Sequence, residues 1–288
     1  MKFENNTDDT ISIIRNKTPL IDLRAPIEFN KGAFPSSINI PILNNEQRER
    51  VGIKYKNEGG KPAEKLGYNL VENTKNELVS LWKNFIKENP GTHIYCMRGG
   101  KRSQIAQSWL NDKGIKVPLI KGGYKALRQS SIEILNSVNN DRKEWIVLAG
   151  RTGTGKTAIL KDLNSAIDLE GHAHHRGSAF GGLSKEQPTV INFENNLASE
   201  YINHDSKILF IEDECRRIGK LSIPNTWYLK MEKAKIVIIE LDIEERISNI
   251  AKEYVYRPLS NGISKNKLNK ILQSSLFNIR KRLGLKLY

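Results

Sequence analysis

The chain has 288 residues, 38% apolar and 27% charged, which allows two domains and is ordinary for a globular protein. No apolar run reaches membrane-spanning length, the polar and acidic start MKFENNTDDTISII is no signal sequence, and two cysteines, Cys96 and Cys215, exclude a disulfide scaffold. These features lead us to expect a reducing cytoplasm and no membrane, and the formal charge of +14 raises a polyanionic partner.

Four short apolar runs come first: PLIDLRAP from Pro19, then Ile38–Leu43, His93–Cys96 and Val117–Gly123. Helical periods fall between them, at Leu70–Ile86 and Ser103–Leu110. Strands alternating with helices predict an α/β domain on a parallel sheet, which binds ligands beyond the carboxyl ends of its strands. Residues 44–67 are polar and glycine-punctuated and read as an insertion. The polar hinge NNDRKEW follows Val138, so domains are expected at 1–138 and 139–288. In the second, strands are predicted at Trp145–Ala149, Thr189–Phe193, Lys207–Ile211 and Ala234–Leu241. Ser264–Leu283 carries apolar residues at 268, 271, 272, 276, 279 and 283, which predicts a basic helical tail.

The stretch IYCMRGGKRSQ sets Cys96 at the end of the third run. Gly99 and Gly100 let backbone amides converge as an anion nest at a helix start, and Arg98, Lys101 and Arg102 add charge. Such surroundings favour thiolate over thiol. Cys96 is therefore the candidate nucleophile, and Arg98, Gly99, Gly100 and Arg102 form the candidate anion-holding loop. Asp22, Arg24, Glu28, Phe29, Gly32, Pro35, Asn39 and Pro41, with the loop CMRGGKRS and the segment LIKGGYKAL, resemble rhodanese domains. That resemblance implies a sulfur or selenium atom carried on Cys96. Five residues separate Cys96 from Arg102, as in rhodanese-fold phosphatases and one more than in ordinary rhodanese loops. A phosphatase or sulfurtransferase fused to a nucleotide-binding RNA module is thus the alternative.

Gly150, Gly153, Gly155, Lys156 and Thr157 satisfy the phosphate-loop pattern G-x-x-x-x-G-K-S/T between a predicted strand and a helix. The amides and Lys156 would cradle phosphate, and Thr157 can ligate Mg²⁺. ILFIEDE ends an apolar run in acids, with Glu212 and Asp213 as the supporting candidates. The loop alone says NTPase or kinase.

The stretches DLEGHAHHRGSAFGG and EDECRRIGKLSIP, with the insertion NEQRERVGIKYKNEG, resemble bacterial tRNA 2-selenouridine synthases. Arg176, Arg216 and Arg217 match that pattern and are further candidates; His172, His174 and Cys215 depart from it. His174 and His175 are adjacent and diverge on any regular element, which argues against a protein-held metal. The resemblance implies selenation of 2-thiouridine at the wobble position of tRNA. Selenophosphate would be the donor, and the thio group would first be alkylated from geranyl diphosphate. No tightly bound cofactor is implied. Residues 1–140 hold 22 Lys and Arg against 14 Asp and Glu, and residues 252–288 hold 9 against 1. This placement suits a tRNA anticodon loop across the first domain and the tail, or simply solvated lysine. Tyr124, Trp227 and Tyr228 are the aromatic candidates for stacking on its bases.

Overall fold

The computed structural model describes residues 6–176, 180 and 186–283. The elements run α1 (Thr10–Arg15), β1 (Leu20–Asp22), α2 (Pro26–Lys31), β2 (Ser37–Asn39), α3 (Asn45–Glu58), α4 (Gly60–Val71), α5 (Lys75–Glu88), β3 (His93–Tyr95), α6 (Lys101–Asn111) and α7 (Gly123–Ser137). They continue with β4 (Glu144–Ala149), α8 (Lys156–Asp162), β5 (Ala166–Ile167), α9 (Leu169–Ala173), α10 (Val190–Tyr201), β6 (Ile208–Glu212), β7 (Arg217–Ile218) and β8 (Leu221–Ser222). The last are α11 (Asn225–Met231), β9 (Lys235–Ile238), α12 (Ile243–Ala251), α13 (Arg257–Ser260) and α14 (Lys265–Leu283). Two compact units result, Met1–Ile134 with Glu194–Ile202, and Leu135–Phe193 with Asn203–Tyr288.

The first unit is built on the parallel sheet β2-β1-β3. Parallel bridges from Ile94 to Leu119 and from Thr7 to Ile120 extend it past β3. Ile21, Leu23, Ile94 and Leu110 are buried in its core with Trp82 and Trp109, whose rings stack 6.2 Å apart. Trp82 donates its Nε1 proton to the Ile40 carbonyl at 3.0 Å, so the ring is buried without an orphaned donor. At the end of β1, Arg24 clasps Asp22 at 2.6 Å with both side chains buried. Arg24 also donates to the Gly32 carbonyl at 2.7 Å and lies 3.7 Å from the centre of the Tyr124 ring, while Tyr95 donates to Asp22 at 2.8 Å.

The second unit carries the parallel sheet β5-β6-β4-β9. β4 buries Trp145, Val147 and Leu148 and delivers Gly150 at its carboxyl end. The basic tail is α14, whose first turn is capped by Ser264 accepting from the Lys267 amide at 3.3 Å.

Three expectations change. Thr189–Phe193 is no strand: Val190 opens α10, and the Thr189 hydroxyl accepts from the Asn192 amide at 3.1 Å. Val190, Ile191 and Phe193 also fit a helical period, which Leu197, Ala198 and Tyr201 continue. The insertion is a helical hairpin, α3 and α4 broken at Gly59 (φ 83). Finally, a 3₁₀ turn at Glu72–Thr74 interrupts the helix expected over 70–86.

Arg24→Ala would strand a buried carboxylate, which costs about 3–5 kcal/mol. Denaturant unfolding checks this, and a loss under about 1 kcal/mol would show that Asp22 is satisfied without its partner.

Candidate active site: a thiol loop and a phosphate loop

β3 places Cys96 at a strand carboxyl end, where α6 begins five residues later. Its sulfur is buried, 3.2 Å from the Ser103 hydroxyl and 3.9 Å from the Gly100 carbonyl. The opening of α7 stitches the loop down: the Tyr124 amide donates to the Cys96 carbonyl at 2.8 Å and the Lys125 amide to Met97 at 3.1 Å. Gly123 must be glycine here, because it has φ 59 and a Cβ would lie 2.2 Å from the Cys96 carbonyl oxygen.

The predicted cations of this loop divide. Arg98 is exposed. Lys101 pairs with Glu64 of α4 at 3.1 Å. Arg102, expected to hold an anion, is instead gripped by Glu28, with Nη1 2.6 Å from Oε2 and Nη2 3.3 Å from Oε1. Burial would raise the Glu28 carboxyl, but the Arg102 guanidinium outweighs it and holds the carboxyl below its usual range. A buried carboxylate takes the nearest guanidinium, so Arg102 anchors the loop to α2. Gly99 and Gly100 remain as the turn into α6.

In the second unit Gly150, Gly153 and Gly155 form the loop between β4 and α8. At Gly153 (φ 88) a Cβ would lie 2.6 Å from the Arg246 carbonyl oxygen, so α12 packs on bare backbone. Asn249 and Arg246 hold that contact by donating to the carbonyls of Gly153 at 2.9 Å and Thr152 at 3.1 Å. Lys156 folds back, with Nζ 2.6 Å from the Gly150 carbonyl. Thr157 donates to Glu212 at 3.0 Å, and Glu212 accepts from the Glu170 amide at 3.1 Å. A cleft of about 540 Å³ opens over this loop, lined among others by Lys156, Thr157, Glu170, Arg176, Asp213 and Glu214.

Of the two predicted acids, Glu212 is buried against Thr157 while Asp213 is exposed at the cleft edge. Burial, with repulsion from Asp168 and Glu170, pushes the Glu212 carboxyl up to about 8. Burial and the neighbouring Glu170 likewise push Glu214 up to about 8. Glu170, in the stretch DLEGHAHHRGSAFGG, is therefore a further member of the site. Its signal was its place just past β5, at a strand carboxyl end. Arg176 donates to the Glu253 carbonyl at 3.3 Å and lies 5.0 Å from the centre of the Tyr254 ring. Arg216 donates to Asn225 at 3.2 Å and Arg217 lies in β7; neither lines this cleft. Cys215 is exposed at its rim. Tyr124 and Trp227, expected to stack on bases, are buried and cannot; Tyr228 is half-buried. The matching positions Gly177, Ser178 and Gly181 lie outside the described residues.

Magnesium fits the site. Thr157 and Glu212 can each supply an oxygen, and a small hard cation that keeps most of its waters needs few protein ligands. Among the described residues no three His, Cys, Asp or Glu side chains are gathered to hold a metal. A cation here would also relieve the repulsion among Asp168, Glu170, Glu212 and Glu214.

Glu212 ionises at about 8 when folded and at 4.5 as a free side chain, so its stabilising proton is fully bound below 4.5 and lost as pH rises to about 8. The thermal midpoint should therefore fall over that window in metal-free buffer. Glu212→Gln should flatten the fall, and magnesium should restore the wild type but not the variant. A Glu212→Gln profile matching the wild type would contradict this.

Comparison with known proteins agrees with the layout. Residues 7–130 match the rhodanese-like domain, and residues 143–288 match the tRNA 2-selenouridine synthase AAA domain. A tRNA 2-selenouridine synthase of Shewanella woodyi is 42% identical over 281 residues, covering 94% of this chain and 76% of that protein. One from Marinobacter nauticus is 42% identical over 295 residues, covering 99% and 80%. With both domains matched in order and relatives aligned over almost its full length, the chain belongs to the tRNA 2-selenouridine synthase family.

Proposed function

We propose that the chain replaces the sulfur of 2-thiouridine, at the wobble position of a tRNA anticodon loop, with selenium from selenophosphate, by way of a geranylated intermediate. The observation that carries this reading is the pairing of two complete loops in one chain, a thiol at one strand end and a phosphate cradle at another. Carrying a chalcogen on a thiol needs no phosphate cradle, and phosphate binding alone needs no buried thiol.

In the first step the uridine sulfur attacks C1 of geranyl diphosphate. A C–S bond forms, the C–O bond breaks, and diphosphate departs with the electron pair. In this reading the amides of 150–157 and Lys156, which line the cleft, take up that charge. Magnesium, held by Thr157 and Glu212, would supply further charge neutralisation. In the second step the selenium of selenophosphate attacks C2 of the base, the C–S bond breaks and geranylthiolate leaves with the electron pair, and water then cleaves the P–Se bond to release phosphate. Alkylation makes that sulfur the better leaving group. Cys96 serves the chalcogen, with Arg98 and the Gly99–Gly100 turn beside it. The chemistry belongs in the cytoplasm with tRNA. The phosphatase reading loses ground, since Arg102 has its guanidinium committed to Glu28.

Two variants separate the loops. Cys96→Ser should abolish selenium incorporation while geranyl transfer persists, because only the thiolate nucleophile is lost. Lys156→Ala should slow geranyl transfer about tenfold to several hundredfold, as expected for a lost charge-assisted contact to a leaving anion. Supplied with geranylated tRNA, it should regain selenation. Nucleoside mass analysis reads all three, and Lys156→Ala failing equally on geranylated tRNA would contradict the assignment.

A further inference from the structure

A second cleft, of about 450 Å³, adjoins the phosphate loop on the side of β5 and α9. Thr157, Ala158, Glu170, Arg176, Glu253 and Arg257 line both clefts, so the two are continuous. Lys161 from α8 lines the second cleft and Arg257 from α13 stands where the two clefts meet, and both side chains are exposed. Neither pairs with an acid among the described residues, whereas Arg176 beside them is bound to Glu253 at 3.5 Å. His175 also lines it, and its Nδ1 is buried without a hydrogen-bond partner among the described residues.

We infer that this cleft is an RNA backbone subsite: Lys161 and Arg257 take the phosphodiester flanking the acceptor nucleotide and hold its base toward the phosphate loop. The inference rests on the proposed tRNA chemistry and names where that substrate enters. A phosphate group could come from RNA or from a small anion such as free phosphate. RNA suits the cleft better. A small anion is normally enclosed by converging amides, which the neighbouring loop already provides. Here two exposed cations on flexible stems come from separate helices, as suits a chain passing across them. The cleft also abuts Thr157 and Glu170, so a nucleotide held there would lie beside the departing diphosphate.

The test is tRNA affinity of the full chain over a salt series, for the wild type, Lys161→Ala and Arg257→Ala. Each lost phosphate contact should lower the slope of log affinity against log salt by about one. Inorganic phosphate should not displace the tRNA. Unchanged slopes in both variants, with wild-type binding intact, would overturn the subsite alone. Displacement by inorganic phosphate would make it a small-anion site and overturn it as well. A wild-type chain that binds no tRNA would overturn the subsite together with the reading beneath it.

Discussion

A carboxylate buried at the carboxyl end of a parallel strand must find donors, and the second unit is organised round that need. Glu212 ends β6 almost fully buried and accepts from the Thr157 hydroxyl and the Glu170 amide. It thereby fixes the first turn of α8 and the start of α9 against one strand, and the phosphate loop inherits its position from that anchor. The first unit meets the same constraint twice. Asp22 at the end of β1 takes Arg24 and Tyr95, and Glu28 takes Arg102 and the Ala25 amide. Unpaired, either carboxylate of the first unit would cost several kcal/mol, and each of the three acids determines which neighbours are immobilised.

This arrangement spends cations as well as using them. The thiol loop has three basic residues within seven positions of sequence, yet Arg102 and Lys101 are tied to Glu28 and Glu64. Of the loop's cations this leaves Arg98 exposed, beside the Gly99–Gly100 turn into α6. The phosphate loop shows the opposite imbalance. Asp168 and Glu170 act on Glu212, Glu170 and Glu212 act on Glu214, and both Glu212 and Glu214 are pushed up to about 8. Such a surplus of acids would be relieved by a cation, and this is why magnesium fits the site.

The strand ends and loops were legible in the sequence because local chemistry fixes them. A glycine-rich turn after an apolar run leaves few alternatives, at Cys96 or at Gly150. The helical hairpin of α3 and α4 was not legible as such, since α3 buries no side chain and so shows no apolar face to read. The strand expected at 189–193 failed because five residues of mixed β-branched and apolar type fit either period. The partners of Arg102 and Thr157 were hidden for another reason. Glu28 lies 74 residues from the first and Glu212 lies 55 from the second, and no spacing rule reaches that far.

The central claim is that one chain performs two transfers on the same tRNA atom position. Mass analysis of nucleosides over a time course tests it most directly, using 2-thiouridine tRNA, the full chain, selenophosphate and geranyl diphosphate. The account predicts geranylated 2-thiouridine rising first and 2-selenouridine replacing it, with neither product when geranyl diphosphate is left out. Selenouridine formed at the same rate without geranyl diphosphate would contradict the account.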